Sequence, residues 1–293
     1  MKRKPARFGG DWTTQKLEVV KKYLSAYTTA LKKQPFKTAY IDAFAGTGYR
    51  ERKDELQPGE LLFPDLALPE PQQFLDGSAR IALQTEPRFH KYIFVERNPE
   101  RCAQLEELKV EFPALAQDIE IRNEEANSYM QDLRKRGWGL HRAVMFLDPF
   151  GMQVEWASLE VIAETEAIDL WVLFPLGIGV NRLLKRDANI KASWRKRLDV
   201  LLGTTDWFDA FYTTKPTRTI LGEEQEETVK TASTEVIGKF FLDRLKTVFA
   251  AVAPNPRVLT NSKNCPLYLL CFAVGNPKGA PIAVKIAKHI LES

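Results

Sequence analysis

The chain has 293 residues, of which 44% are hydrophobic and 27% are charged, a composition typical of a globular protein. No apolar run approaches the roughly 20 residues that a membrane-spanning helix needs, and no apolar segment follows the basic start of the chain as it does in a secretion signal. The net charge of +4 is only mildly basic. We therefore expect a cytoplasmic protein, with 1–293 forming a single domain.

Few residues are available for metal or hydrolase chemistry. The chain has three cysteines and three histidines, and neither an H-x-x-x-H pair nor a G-x-S-x-G elbow occurs. The cysteines are too few and too scattered for a disulfide framework, and we expect them to be buried apolar thiols. No metal site is predicted.

Predicted strands and helices alternate along the first part of the chain. An amphipathic helix over 13–33 comes first, with Thr13 or Thr14 as its N-cap. Apolar runs then predict strands at 38–45, 92–96, 143–148 and 168–176, with a weaker strand at 119–122. Helical stretches separate these strands at about 78–86, 99–111, 127–135 and 156–166. This alternation predicts right-handed βαβ units, a mostly parallel sheet and helices on both of its faces.

The last third of the chain is less regular. A basic segment of mixed character over 180–225 precedes a long helix predicted at 228–251. Strands at 257–261 and 267–274 follow, and the short link between them favours antiparallel pairing. A final helix is predicted at 280–291.

A proline-rich loop over 49–77 interrupts the pattern. A loop of this length inside a compact domain is usually functional, and its position after a glycine turn favours a lid or a substrate-binding loop. A tolerated surface insertion is the alternative interpretation.

The first candidate site is the turn that follows the first strand. Asp42, Phe44, Ala45, Gly46 and Gly48 belong to this turn, where an apolar strand runs into Gly-x-Gly. Residues without a Cβ atom let the backbone approach a ligand closely, and nucleotides sit at this edge of parallel sheets. The third glycine of the dinucleotide-binding fingerprint is missing.

Two further candidate sites lie at the ends of later strands. Glu96 ends the next strong strand, where a carboxylate accepts hydrogen bonds from a ribose diol; a solvated strand end is the alternative. Asp148, Pro149 and Phe150 end the strand after that. A carboxylate and a carbonyl accept hydrogen bonds from an exocyclic amine, and an aromatic ring stacks on a base, although an ordinary strand exit has the same composition.

Basic residues concentrate in two places. An N-terminal arm contains Lys2, Arg3, Lys4 and Arg7, and a second cluster contains Lys185, Arg186, Lys191, Arg195, Lys196 and Arg197. Of these, Lys185, Arg186, Arg195 and Lys196 are the candidate substrate-binding residues. Phosphate contact and a solvated helix face both account for such clusters.

Together these motifs resemble those of class I S-adenosylmethionine-dependent methyltransferases. The Asp-Pro-Phe segment at 148–150 is similar to the Asp-Pro-Pro-Tyr motif of amino-methyltransferases that modify adenine N6 or cytosine N4. A narrower resemblance, over roughly 10–290, is to the three-Cys-motif partner (TcmP) family. It rests on Trp12-Thr13-x-x-Lys16-Leu17, the turn at 42–48, Gly77-Ser78, 148–151 and the strand at 267–276.

The resemblance implies a Rossmann-like fold with a seven-stranded, mostly parallel sheet whose last strand is antiparallel. It also implies S-adenosylmethionine as the cofactor. The residues implied to bind the cofactor are Asp42, Phe44, Gly46 and Gly48 at its methionine end, Glu96 at the ribose, and Glu125 or its backbone at the adenine. Ala45 and Arg97 are also candidate cofactor-binding residues, without an assigned part of the cofactor. Asp148, Pro149 and Phe150 are implied to hold the amine, although the second proline and the fourth-position aromatic residue of the motif are absent.

The function predicted from the sequence is therefore methyl transfer to an amine of a nucleic-acid base. One alternative is an accessory, cofactor-binding partner of a radical-SAM-type three-cysteine enzyme, with little catalysis of its own. Another is a small-molecule or protein methyltransferase. The expected partners are accordingly a nucleic acid or a three-cysteine protein.

Overall fold

The computed structural model describes residues 11–46, 77–218 and 224–293. The basic N-terminal arm, Gly48 and all of the predicted 49–77 loop except its last residue lie outside the described residues.

Five parallel strands form the body of the central sheet. They are β1 (Lys37–Asp42), β2 (Lys91–Val95), β3 (Ile119–Arg122), β4 (His141–Leu147) and β5 (Ile168–Phe174). Their order across the sheet is β3-β2-β1-β4-β5. The strands β2 and β3 are added on one side of β1, and β4 and β5 on its other side, so the strand order reverses between β1 and β4. All seven residues of β5 are buried, as expected for a strand covered on both faces.

The sheet ends in antiparallel strands. The strand β10 (Pro266–Val274) runs antiparallel to β5, and the short strands β8 (Ala251–Val252) and β9 (Arg257–Thr260) pair with its other side. In the described part of the chain the sheet therefore has eight strands in seven positions, because β8 and β9 share the outermost position. The predicted mostly parallel sheet with an antiparallel last strand is confirmed.

Helices cover both faces of this sheet. They are α1 (Asp11–Leu31), α2 (Gly77–Leu83), α3 (Pro99–Glu111), α4 (Ala126–Gln131), α5 (Trp156–Glu164), α6 (Ala192–Leu202), α7 (Trp207–Phe211), α8 (Thr234–Leu245) and α9 (Ala280–Glu292). Neighbouring strand residues such as Tyr40 and Ile41 belong to different apolar cores, one on each face. Within the described ranges, no helix has the length and apolar character needed to cross a bilayer.

The structure corrects several predicted boundaries. The helix α1 begins at Asp11, before the predicted N-cap, and α2 ends at Leu83. The predicted helix at 228–251 is wrong at its start, because Glu224–Lys230 is strand β7, paired in a separate ribbon with β6 (Tyr212–Arg218). Most residues of this ribbon are exposed, so its sequence carries no apolar alternation that predicts a strand.

The cysteine prediction holds for two of the three residues. Cys102 and Cys271 are buried, whereas Cys265 is exposed. Cys265 lies in the short link that precedes β10, and links between strands normally run over the surface.

Candidate functional site

Three carboxylates stand at the same edge of the sheet. Asp42 is the last residue of β1, Glu96 follows β2, and Asp148 follows β4. These strands are parallel neighbours in the order β2-β1-β4, so their carboxyl ends meet at one edge, beside the point where the strand order reverses. The edge that the sequence predicts as a ligand site is therefore assembled from residues more than 100 positions apart.

The glycine turn lies directly against Glu96. Gly46 has a φ of +91°, and a Cβ atom added there would lie 3.0 Å from Oε2 of Glu96. The backbone N–H of Ala45 donates to the carbonyl of Val95 at 3.0 Å, which ties the turn to the end of β2. The structure thus brings together the two residues on which the cofactor prediction depends.

Glu96 is buried with one carboxylate oxygen unsatisfied. Its Oε1 accepts a hydrogen bond from the backbone N–H of Asn98 at 2.7 Å. Its Oε2 has no hydrogen-bond partner in the part of the chain that the structure describes, and the guanidinium of Arg101 lies 3.9 Å away. Burial raises the pKa of Glu96. Because buried polar atoms are nearly always paired, this oxygen is suited to accept a hydrogen bond from a ligand hydroxyl.

Asp42 is almost fully buried and held from two sides. Its Oδ2 accepts from the Ser78 hydroxyl at 2.7 Å, and its Oδ1 accepts from the backbone N–H of Phe44 at 3.2 Å. Burial is the main cause that raises the pKa of Asp42 to about 7; the negative charge of Asp148 adds to this rise, and the Ser78 hydrogen bond opposes it. The Asp42 carboxyl therefore changes charge near neutral pH.

Asp148 forms an ion pair with a lysine that the sequence did not single out as a site residue. The ammonium of Lys16, on α1, contacts Oδ2 of Asp148 and lies 5.1 Å from the ring centre of Trp12. Lys16 is only 2% exposed. The available signal was its spacing, because Lys16 falls on the buried face of α1 that also carries Trp12 and Val20.

The residues after Asp148 present an aromatic ring at the surface. Pro149 is buried, whereas Phe150 is 42% exposed. Gly151 follows with a φ of +73°, a value that glycine adopts without strain. Phe44, across the site on the β1 turn, is buried in the apolar core.

Glu125 follows β3, which lies one strand beyond β2 and Glu96 in the order of the sheet, and Arg97 is the residue next to Glu96. Glu125 is the N-cap of α4, where its Oε2 accepts from the backbone N–H of Ser128 at 2.8 Å. Its Oε1 accepts from the side-chain amide of Asn127 at 2.9 Å. Arg97 is exposed immediately after Glu96. The Glu125 side chain thus caps a helix, and contact with the adenine stays a prediction for its backbone.

The four candidate substrate-binding residues lie in the stretch of chain that follows the carboxyl end of β5. They are Lys185, Arg186, Arg195 and Lys196. The ammonium of Lys185 lies 5.5 Å from the ring centre of Trp194, and the guanidinium of Arg195 lies 4.2 Å from that of Phe208. Arg186 and Lys196 are exposed. Of the four predicted substrate-binding residues, two therefore also stack on aromatic rings.

No family model and no curated protein sequence matches the chain. Among solved structures, protein LPL1258 from Legionella pneumophila is 12% identical, with a TM-score of 0.46 over 94% of this chain and 91% of that one. Magnesium protoporphyrin IX methyltransferase from Synechocystis, solved with bound S-adenosylmethionine, is 12% identical, with a TM-score of 0.31 over 74% of this chain and 81% of that one. The 23S rRNA methyltransferase ErmE is 11% identical, with a TM-score of 0.26 over 72% of this chain and 68% of that one. At these identities the likeness concerns the fold alone.

Proposed function

We propose that the chain binds S-adenosylmethionine along the carboxyl edge of β2, β1 and β4 and transfers its methyl group to an amine of a nucleic-acid base. The observation that carries the proposal is the contact between Gly46 and Glu96, where a turn without a side chain lies against a buried carboxylate oxygen that lacks a hydrogen-bond partner among the described residues. A nucleoside cofactor supplies the missing donor through its ribose hydroxyls.

The residues at this edge suit the cofactor in size and charge. Gly46 has no side chain to hinder close backbone approach, and we assign the neighbouring Glu96 to the ribose hydroxyls. We assign Asp42, whose carboxyl has a pKa of about 7, to the positively charged methionine end of the cofactor. When bound, the cofactor supplies an electrophilic methyl group on a sulfonium.

The substrate end of the site is assigned to Asp148, Pro149 and Phe150. The Asp148 carboxylate and the Pro149 carbonyl accept hydrogen bonds from an amine and so orient its nitrogen lone pair. The exposed ring of Phe150 offers a face on which a base stacks. The amine releases its proton after the new nitrogen–carbon bond has formed, so these residues position the amine and no strong base is needed.

A nucleic-acid substrate is favoured by the basic segment as well as by Phe150. Lys185, Arg186, Arg195 and Lys196 follow β5, whose carboxyl end belongs to the same edge as Asp148. Positive side chains in this position attract a phosphate backbone and hold it beside the proposed base-binding residues.

The narrower TcmP resemblance is also kept as a proposal. Four of the residues that carry it interact in the folded chain, since Lys16 pairs with Asp148, Ser78 donates to Asp42, and the negative charge of Asp148 adds to the rise in the pKa of Asp42 that burial causes. Residues from four separate short motifs therefore lie in one cluster of this chain, which supports the proposal that these motifs form one site.

The test is methyl transfer from S-adenosylmethionine to total nucleic acid, followed by mass spectrometry of the nucleosides. We expect the wild type to produce a methylated nucleoside. Asp148→Ala abolishes this product while its affinity for S-adenosylhomocysteine stays within about threefold, because its contact is with the substrate. Phe150→Leu lowers turnover by about fivefold or more, since the stacking face is lost.

The matched control is Val110→Ala, which trims another exposed apolar side chain, on α3. This variant is expected to keep full activity. A wild type that binds S-adenosylhomocysteine but methylates no nucleic acid contradicts the proposed substrate, and a fully active Asp148→Ala variant contradicts the assigned site.

A further inference from the structure

The ammonium of Lys16 is buried with most of its hydrogen-bonding capacity unused. A lysine ammonium has three N–H donors. Among the described residues its only hydrogen-bond partner is the Asp148 carboxylate, and the Trp12 ring lies 5.1 Å from Nζ. The side chain is 3% exposed, so water supplies few of the missing partners. A buried charge with unpaired donors is costly, which indicates that a further acceptor binds there.

The charges around Lys16 match those of an amino-acid group. Asp148 pairs with Lys16 directly, and the positive charge of Lys16 opposes the rise in the pKa of Asp42 that burial causes. The cluster therefore offers one ammonium, Lys16, and an adjacent carboxylate, Asp42, that is not paired with it. A ligand group that carries both a carboxylate and an ammonium complements these two side chains.

The position of Lys16 fits the proposed orientation of the cofactor. The strand order β2-β1-β4 places Glu96, the proposed ribose ligand, at one end of the edge and the Lys16–Asp148 pair at the other, with Asp42 between them. We infer that Lys16 binds the carboxylate of the amino-acid end of the cofactor. This inference rests on the proposed function.

A phosphate of the substrate is the other anion that an ammonium attracts. The burial of Lys16 favours the cofactor, because a polynucleotide backbone reaches exposed side chains far more readily than one that is 2% exposed.

The experiment is calorimetric titration with two ligands that differ only in the carboxylate. S-adenosylhomocysteine carries this group, and 5′-deoxy-5′-(3-aminopropylthio)adenosine lacks it but keeps the ammonium. Lys16→Met is expected to weaken binding of the first ligand by about tenfold or more and to weaken binding of the second by no more than about twofold. Lys21→Met makes the same change on the exposed face of α1 and is expected to leave both affinities unchanged.

A second pair of variants tests whether misfolding explains the loss, because Lys16→Met removes the ammonium that is paired with the Asp148 carboxylate. Lys16→Met combined with Asp148→Asn removes both charges and is compared with Asp148→Asn alone. The same loss, specific to the ligand with a carboxylate, is expected between these two proteins.

Four results overturn the inference. Equal losses for the two ligands show that Lys16 acts through folding, and equal affinities before and after substitution show no contact. A loss of oligonucleotide binding with unchanged S-adenosylhomocysteine binding places a phosphate at Lys16 instead. A wild type that binds neither ligand overturns the proposed function as well, so the two failures are distinguishable.

Discussion

The charge of the Asp42 carboxyl in the candidate site depends on pH near neutrality. Burial raises its pKa to about 7, so it is mostly protonated at pH 6 and mostly ionised at pH 8. The groups that act on it are Ser78, Asp148, Lys16 and the backbone N–H of Phe44. In the proposed cofactor site, only the ionised form of Asp42 would attract the ammonium of the cofactor.

We predict that affinity for S-adenosylhomocysteine rises between pH 6 and pH 8, by up to about tenfold, as Asp42 ionises. Calorimetry at several pH values measures this slope. Asp42→Asn cannot ionise and is expected to show a flat profile over the same range. A wild-type profile as flat as that of the variant contradicts the assignment of Asp42 to the cofactor.

The sequence predicted the residues of the site whose signal is local. Gly46 and Glu96 each follow an apolar strand, and parallel strands deliver such residues to one edge. Lys16 was not predicted as a site residue, because its partner Asp148 lies 132 positions away and only the folded sheet brings them together. Its position on the apolar face of a helix was the signal in the sequence that its side chain is buried.

At the level of elements, α1 is anchored to the sheet by a buried polar pair. The hydroxyl of Tyr23 donates to Oδ2 of Asp169, on β5, at 2.7 Å. Burial raises the pKa of Asp169 to about 7, with the Tyr23 hydrogen bond and the Arg142 charge opposing the rise. The same helix carries Lys16, so this anchor also helps to hold the ammonium of Lys16 at the site.

This pair predicts a pH dependence of stability with a definite sign. The pKa of Asp169 is higher in the folded state than the usual value of 3.8. The stability that the protonated Asp169 carboxyl gives to the folded state is therefore complete below about pH 4 and is lost as pH rises through about 7. We compare the free energy of unfolding of Asp169→Asn, which stays neutral, with that of the wild type. We predict that the difference between the two proteins shifts in favour of the variant by about 2–4 kcal/mol from pH 4 to pH 8.

Urea denaturation at several pH values measures this difference. Asp209→Asn, at an exposed carboxylate on α7, is the control and is expected to follow the wild type. Parallel stability curves for Asp169→Asn and the wild type contradict the account of this anchor.

Elements with explicit start signals were predicted well. The predicted bounds of α3 are those observed, because Asn98 caps its N-terminus and Pro99 occupies its first turn. The ribbon of β6 and β7 was missed, since its strands bury almost nothing and are held mainly by their mutual pairing. Without a buried face, no periodicity marks a strand in the sequence.

At the scale of the whole molecule, the predicted sheet follows from the order of apolar runs. Strand–helix alternation with right-handed crossovers leaves few topologies, and the edge proposed as the ligand site lies where the strand order reverses between β1 and β4. The splitting of the outermost strand position into β8 and β9 was not predictable, because β8 has only two residues.

The basic segment after β5 makes a prediction at this scale. Replacing Lys185, Arg186 and Lys196 together by Gln is expected to weaken nucleic-acid binding and to reduce the slope of log affinity against log salt by about 2 to 3. Filter binding at several salt concentrations measures this slope. Lys278, Lys285 and Lys288, changed to Gln in the same way, give a control of equal charge at exposed residues in and near α9. Equal slopes for the two triple variants contradict a role of the basic segment in phosphate binding.

The most direct test of the central claim is calorimetric titration of the wild type and Glu96→Ala with S-adenosylhomocysteine. We predict that the wild type binds one molecule per chain and that Glu96→Ala binds more weakly by about 1–3 kcal/mol, because a charge-assisted hydrogen bond is lost. Glu100→Ala, at an exposed carboxylate on α3, is expected to bind as the wild type does. Absence of binding by the wild type, or equal affinity of Glu96→Ala and the wild type, would contradict the proposed cofactor site.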